Sequence, residues 1–115
     1  MVAYYPAMDD VFKALADASR RLLLDRLHGR PGQTLGELCQ GLEMSRQAVS
    51  KHLAILEEAN LVATVKRGRE KLHYLNPVPI HEIADRWIGK YQHAPLDALD
   101  ALSALKSRLE EKKNG

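Results

Sequence analysis

Ser45, Arg46, Gln47, Ser50 and Lys51 set two hydroxyls, an amide and two cations within two turns of chain. These are groups suited to a polyanion with readable edges. A Gln amide makes paired hydrogen bonds to adenine, a guanidinium does the same to guanine, and hydroxyl and ammonium groups meet phosphate oxygens. On a helical period of about 3.6 residues, Arg46, Gln47, Ser50, Lys51 and Ala54 share one face. Val49, Leu53, Leu56 and Ala59 fall on the opposite stripe, so one side of this helix is suited to burial and the other to contact. The charge also changes sign along it, with Arg46 and Lys51 in the first half and Glu57 and Glu58 near the end. Only the N-terminal half suits a nucleic acid, which is the docking polarity of a helix-turn-helix recognition helix.

Other chemistries find less support. There is no glycine-rich phosphate loop, nucleophile elbow or carboxylate pair, and Cys39 is predicted mid-helix with no His near it in sequence, so an enzyme is not expected. As the single cysteine, Cys39 excludes an intramolecular disulfide and fits a reducing compartment; a buried structural thiol is the favoured role. His81, Glu82 and Asp85 have near-helical spacing, His93 follows only twelve residues after His81, and neither metal nor cofactor is expected. The stretch Met1 to Pro6 lacks the basic-then-apolar pattern of a secretory leader, and no apolar segment is long enough for a bilayer. A soluble, cytoplasmic protein without membrane contact is the expectation.

At 115 residues and 45% hydrophobic content, the chain is expected to be one domain with a core of its own. A net charge of +2 is too small to imply nucleic acid by itself. Its distribution is more telling: between Ser45 and Leu75, the cations Arg46, Lys51, Lys66, Arg67, Arg69 and Lys71 outnumber Glu57, Glu58 and Glu70. From Asn76 onward the two signs balance.

The elements that must hold the polar helix follow from punctuation and period. Pro6 can open a first helix with Met8, Val11, Phe12, Leu15 and Ala16 at helical spacing. Asp17 is a predicted N-cap for a second, Ala18 to about His28, with Leu22, Leu23, Leu24 and Leu27 inside, ended by Gly29, Pro31 and Gly32. Thr34-Leu35-Gly36-Glu37 matches a capping box and predicts a short helix to about Gln40, with Leu35, Leu38 and Leu42 facing the core and Gly41 in a left-handed position. A three- to four-residue turn, Leu42-Glu43-Met44, leads to Ser45 as the next N-cap, which makes a helix-turn-helix over about 34–60.

Beyond Asn60 the period drops to two. Leu61 to Arg67 and Glu70 to Leu75 predict a hairpin turning at Gly68-Arg69, a wing over about 61–75. Leu72 and Tyr74 are expected to face the helices, with Arg69, Lys71 and His73 on the outer side. Asn76-Pro77-Val78-Pro79 then opens a helix with Ile80, Ile83, Ala84, Trp87, Ile88 and Tyr91 on one apolar stripe, interrupted by Pro95. A last helix carries Leu96, Leu99, Leu102, Leu105 and Leu109 near the spacing of a helix seam. The fold class is therefore mostly α with a β-hairpin, a winged helix-turn-helix.

The run Met44-Ser45-Arg46-Gln47-Ala48-Val49-Ser50-Lys51-His52-Leu53 and its continuation to Val62 resemble the signature of the ArsR/SmtB family of winged-helix repressors. Ala14-Leu15-Ala16-Asp17-Ala18-Ser19-Arg20-Arg21 and Arg67-Gly68-Arg69-Glu70-Lys71-Leu72-His73-Tyr74 share the resemblance, which spans roughly Val11 to Tyr91. It implies a homodimeric repressor on a palindromic operator in double-stranded DNA, released by an effector whose identity the chain does not reveal. Base-reading positions fall on Arg46, Gln47 and Ser50, phosphate contacts on Ser45, Lys51 and His52, and wing contacts on Arg67, Arg69 and Lys71. His52 borders the buried stripe, so a packed, hydrogen-bonded histidine is an equal reading of it. The Cys-x-Cys pair of metal-sensing members is absent, with Gly41 where a second thiol would stand.

A dimer built from helices over about 6–16 and 79–113 is expected, with Phe12, Trp87, Tyr91, Leu99 and Leu102 at its interface. The alternative is a winged-helix interaction module that binds protein and not DNA. It predicts an apolar or acidic outer face on the polar helix, and Arg46, Gln47, Ser50 and Lys51 speak against it.

Overall fold

The computed structural model describes residues 6–92 and 97–114. Helices α1 (Pro6–Leu15), α2 (Ala18–Gly29), α3 (Leu35–Cys39) and α4 (Arg46–Glu58) come first, followed by strands β1 (Val62–Arg67) and β2 (Glu70–Leu75). Helix α5 (Val78–Ile83), a π-helical turn (Ala84–Ile88), α6 (Gly89–Gln92) and α7 (Asp97–Asn114) complete the chain. It divides into two compact units between Ile83 and Ala84.

The first unit holds the core. Leu23 and Leu27 of α2, Leu38 of α3, Val49 and Leu56 of α4, and Leu61 are fully buried. Each such leucine stabilises the fold by about 1.5–3 kcal/mol relative to exposure. Leu22 departs from expectation at 42% exposed. Leu23, Leu24 and Leu27 already occupy the inward side of α2, and one residue earlier is about 100° around the axis from Leu23.

The local signals for the helix starts are realised. The Asp17 carboxylate accepts from the Arg20 amide at 3.1 Å, and Ser45 Oγ accepts from the Ala48 amide at 3.1 Å. Thr34 and Glu37 form the reciprocal capping box, with Thr34 Oγ1 accepting from the Glu37 amide and Glu37 Oε1 accepting from the Thr34 amide. Gly41 takes φ 75° in the turn before α4.

Helix α4 ends in a Schellman arrangement. Asn60 sits at φ 64°, its amide donates to Glu57 O at 3.0 Å, and the Leu61 amide reaches back to Leu56 O at 2.9 Å. Leu56 and Leu61, both fully buried, supply the apolar contact that accompanies this cap. Asn76 closes the same corner, donating its backbone amide to Leu61 O and its side-chain amide to Asn60 O, each at 2.8 Å. The exit of α4 and the base of the hairpin are thus one hydrogen-bonded joint.

The hairpin pairs Val62 with Leu75 through Arg67 with Glu70. Gly68 alone of its two loop residues has positive φ, at 63°, the pattern of a type II′ turn. His73, expected on the outer side, is buried instead. Gln33 bridges β2 along its free edge: the His73 amide donates to Gln33 O at 2.8 Å, the Gly32 amide donates to His73 O at 2.9 Å, and Nδ1 of His73 lies 2.9 Å from Gln33 O. A carbonyl only accepts, so Nδ1 carries the proton. In β2 the tip residues Glu70 and Lys71 are exposed, Leu72 and His73 are buried and Tyr74 and Leu75 half-buried, so burial does not alternate by two; Gln33 pairs with the strand's other edge at His73.

The apolar stripe expected over 80–91 is also interrupted. Ile83 is buried, but Ala84–Ile88 forms a π turn, which changes the angular step and breaks a single face. Trp87, Ile88 and Tyr91 are exposed, with Trp87 and Tyr91 packed edge to face at 5.2 Å between ring centres. In α7, Leu99, Leu102, Leu105 and Leu109 are 53–61% exposed. His93 and Pro95 lie outside the described residues. No helix among the described residues is long and apolar enough to cross a membrane.

Candidate nucleic-acid interface

Helix α4 is held by its apolar side and free on the other. Val49, Leu53 and Leu56 are buried, whereas Ser45, Arg46, Gln47, Ser50, Lys51 and Ala54 are all exposed. The capping bond uses a lone pair of Ser45 Oγ and leaves its hydroxyl hydrogen to donate. The first amides of α4 and the positive end of its dipole also suit a phosphate there. The Arg46 guanidinium lies back toward the start of α3, where a Cβ at Gly36 would stand 3.9 Å from it.

Helix α3 sets the angle of α4 and is itself clamped. Arg26 of α2 donates from Nη1 to Leu38 O at 3.1 Å and to Gln40 O at 2.5 Å, satisfying carbonyls at the end of a helix only five residues long. At its other end Arg30 pairs with the Glu37 carboxylate. The Thr34 amide holds the Glu37 carboxyl below the usual carboxylate range, aided by the Thr34 hydroxyl and Arg30 and opposed by partial desolvation. Cys39 is half-buried against the core. Among the described residues, no three His, Cys, Asp or Glu side chains converge as metal ligands.

At the wing, Lys66, Arg67 and Arg69 are exposed around the Gly68 turn. Lys71 is placed differently from the other three: it stands directly across from Lys66, and its Nζ lies 3.0 Å from the Glu57 carboxylate in the last turn of α4. Among the wing cations Lys71 is therefore engaged within the protein.

His52 is half-buried on the flank of α4, and its Nδ1 lies 3.3 Å from a guanidinium nitrogen of Arg20. Arg20 escaped the sequence reasoning because its partner is 32 residues away and no local pattern marks it. Asp17 stands beside both; the Arg20 amide first, then the Arg20 charge, hold its carboxyl below the usual range against partial desolvation. Phe12, expected at a subunit interface, is half-buried and packs on the core of the first unit.

A short capped helix, a tight turn, a second helix with an exposed polar face and a basic hairpin define a winged helix-turn-helix protein that binds DNA. A helix-turn-helix domain family matches residues 15–65. The chain is 40% identical to the uncharacterized HTH-type transcriptional regulator YuzN of Bacillus subtilis over 86 residues, 70% of this chain and 94% of that protein. It is 32% identical to the transcriptional repressor SdpR of Bacillus subtilis, over 65% of this chain and 82% of that one. Among solved structures, an ArsR-like transcriptional regulator from Rhodococcus sp. RHA1 matches at TM-score 0.70 and 33% identity, covering 93% of this chain and 94% of that chain. The chain belongs to the ArsR family of winged-helix transcriptional regulators.

Proposed function

We propose that this protein is a homodimeric repressor that binds a two-fold-symmetric operator. The observation that carries this reading is the exposed face of α4, where Arg46, Gln47, Ser50 and Lys51 stand together opposite a fully packed apolar side. Arg46, Gln47 and Ser50 meet base edges in the major groove, Ser45, Lys51 and His52 meet phosphates beside it, and Arg67 and Arg69 reach the flanking backbone. Lys71 contributes to the wing only when it leaves Glu57.

Two copies of α4 must stand about one helical turn apart, roughly 34 Å, to enter successive grooves. The exposed leucine series of α7, with Trp87 and Tyr91, supports a second copy as its cover, and the exposed part of half-buried Phe12 is open to the same partner. A tight thiolate zinc site has no place in this reading, since Cys39 is the single cysteine of the chain.

Selection of bound duplexes from a random pool, with light scattering of the free protein, tests both parts. A palindromic consensus and a dimeric mass are expected. A non-palindromic or absent consensus would overturn operator symmetry or DNA reading respectively, the latter favouring a protein-docking module, and a monomer at micromolar concentration would overturn the dimer.

A further inference from the structure

Arg20 is among the most constrained side chains near α4. Its Nε donates to Ala14 O at 2.8 Å and one terminal nitrogen donates to Lys13 O at 3.1 Å, satisfying carbonyls at the end of α1. Its backbone amide is held by the Asp17 carboxylate, whose second oxygen lies 3.9 Å from the other terminal nitrogen. Only 15% of the side chain is exposed. That second terminal nitrogen is the one that faces Nδ1 of His52 at 3.3 Å.

This contact dictates where the proton on His52 sits. A guanidinium has donors and no acceptor, so the nitrogen facing it must present a lone pair. Nδ1 is therefore bare and the proton of the neutral ring is on Nε2. The two chemistries that tie histidines into this unit are opposite: His73 donates from Nδ1 to a carbonyl, whereas His52 accepts at Nδ1 and keeps Nε2–H as its remaining donor. Nε2 stands across the ring from Nδ1 and so faces away from Arg20. Among the described residues no hydrogen-bond partner meets it.

We propose that Arg20 is a positioning residue for DNA binding, fixing the His52 imidazole as the Nε2–H tautomer so that this N–H donates to an operator phosphate. The inference rests on the docking of α4 proposed above and adds to it a residue outside the contact surface. Arg20 is anchored to α1 and Asp17, so the ring it orients is set by the core and not by the flexible stem of an exposed side chain. A donor held in place before binding loses less freedom on contact than a free lysine does.

The experiment uses the full chain and a duplex chosen by the selection above. A Gln amide nitrogen reaches the place of Nε2, and an Asn nitrogen the place of Nδ1. His52→Asn is expected to bind the operator roughly tenfold more weakly than His52→Gln, the scale of one hydrogen bond to a charged group. Arg20→Gln is expected to lose roughly tenfold in the native background and nothing further in His52→Gln. In the free protein, imidazole nitrogen shifts should show a protonated Nε2 and a bare Nδ1.

An Nδ1–H tautomer, equal losses for His52→Gln and His52→Asn, or an Arg20→Gln loss that persists in His52→Gln would each overturn the proposal. If these arms fail while the native protein still selects its duplex, the role of Arg20 falls and operator recognition stands. If the native protein selects no duplex, both fall.

Discussion

The Lys71 ammonium lies 3.0 Å from the Glu57 carboxylate, joining the second strand of the wing to the last turn of the recognition helix. Lys71 is also directly across the hairpin from Lys66, where two like charges repel. Glu57 relieves that repulsion and occupies the Lys71 ammonium. Glu57→Gln is therefore expected to release Lys71 to a phosphate and steepen the salt dependence of operator binding by about one unit of log–log slope. Because the pair is partly exposed, its loss should change folding stability by less than about 1 kcal/mol. Anisotropy titrations across a salt series check the first point, and an unchanged slope would show that Lys71 has no phosphate within reach.

Arg46 and Gln47 are exposed and hold no part of the core, so replacing both with Ala should remove discrimination without unfolding the protein. Each paired base contact is worth roughly 1–3 kcal/mol of discrimination, so operator and scrambled duplex should bind almost alike. Competition gel shifts measure the ratio, and a melting temperature close to that of the native protein would confirm that the fold is intact. A preserved operator preference would move base reading to other residues.

Arg67→Ala with Arg69→Ala makes the opposite kind of change. These cations flank the Gly68 turn and carry charge with no defined partner edge, so affinity should fall for every sequence in similar proportion. The salt slope should drop by about two. Loss confined to the operator would mean that the wing reads sequence.

Acid should weaken the joints around α2 and α3 first. The carboxyls of Asp17 and Glu37 are both held below their ordinary values, 3.8 and 4.5, chiefly by the backbone amides of Arg20 and Thr34. A carboxyl with a lowered folded-state value contributes stability above its ordinary value and loses it as pH falls through the folded value. The loss should thus begin near the ordinary values and deepen below them. Asp17→Asn and Glu37→Gln should flatten the acid limb of a stability curve measured by urea denaturation; an unaltered limb would place the acid sensitivity elsewhere.

Much of this architecture is legible in the chain because its determinants are local. A cap, a capping box, a left-handed glycine and a two-residue turn each act within a few residues, so Asp17, Thr34 with Glu37, Gly41, Ser45 and Gly68 announce their elements directly. The exposed face of α4 follows from helical period. What resisted reading depends on distant partners. His73 is buried because Gln33, forty residues earlier, pairs with its strand. Arg20 meets His52, and Glu57 meets Lys71, across separate elements. The π turn at Ala84–Ile88 likewise leaves no mark in a pattern of apolar spacing that assumes one regular helix.

Trp87 is the single tryptophan of the chain, and it stands in the second unit against the edge of Tyr91. The reading helix and the hairpin contain none. Tryptophan emission, excited apart from the tyrosines, is accordingly an optical channel that starts from the second unit alone. Any change in that emission when operator is added reports an event at the second unit, so one cuvette measurement without labels can ask whether that unit registers the DNA.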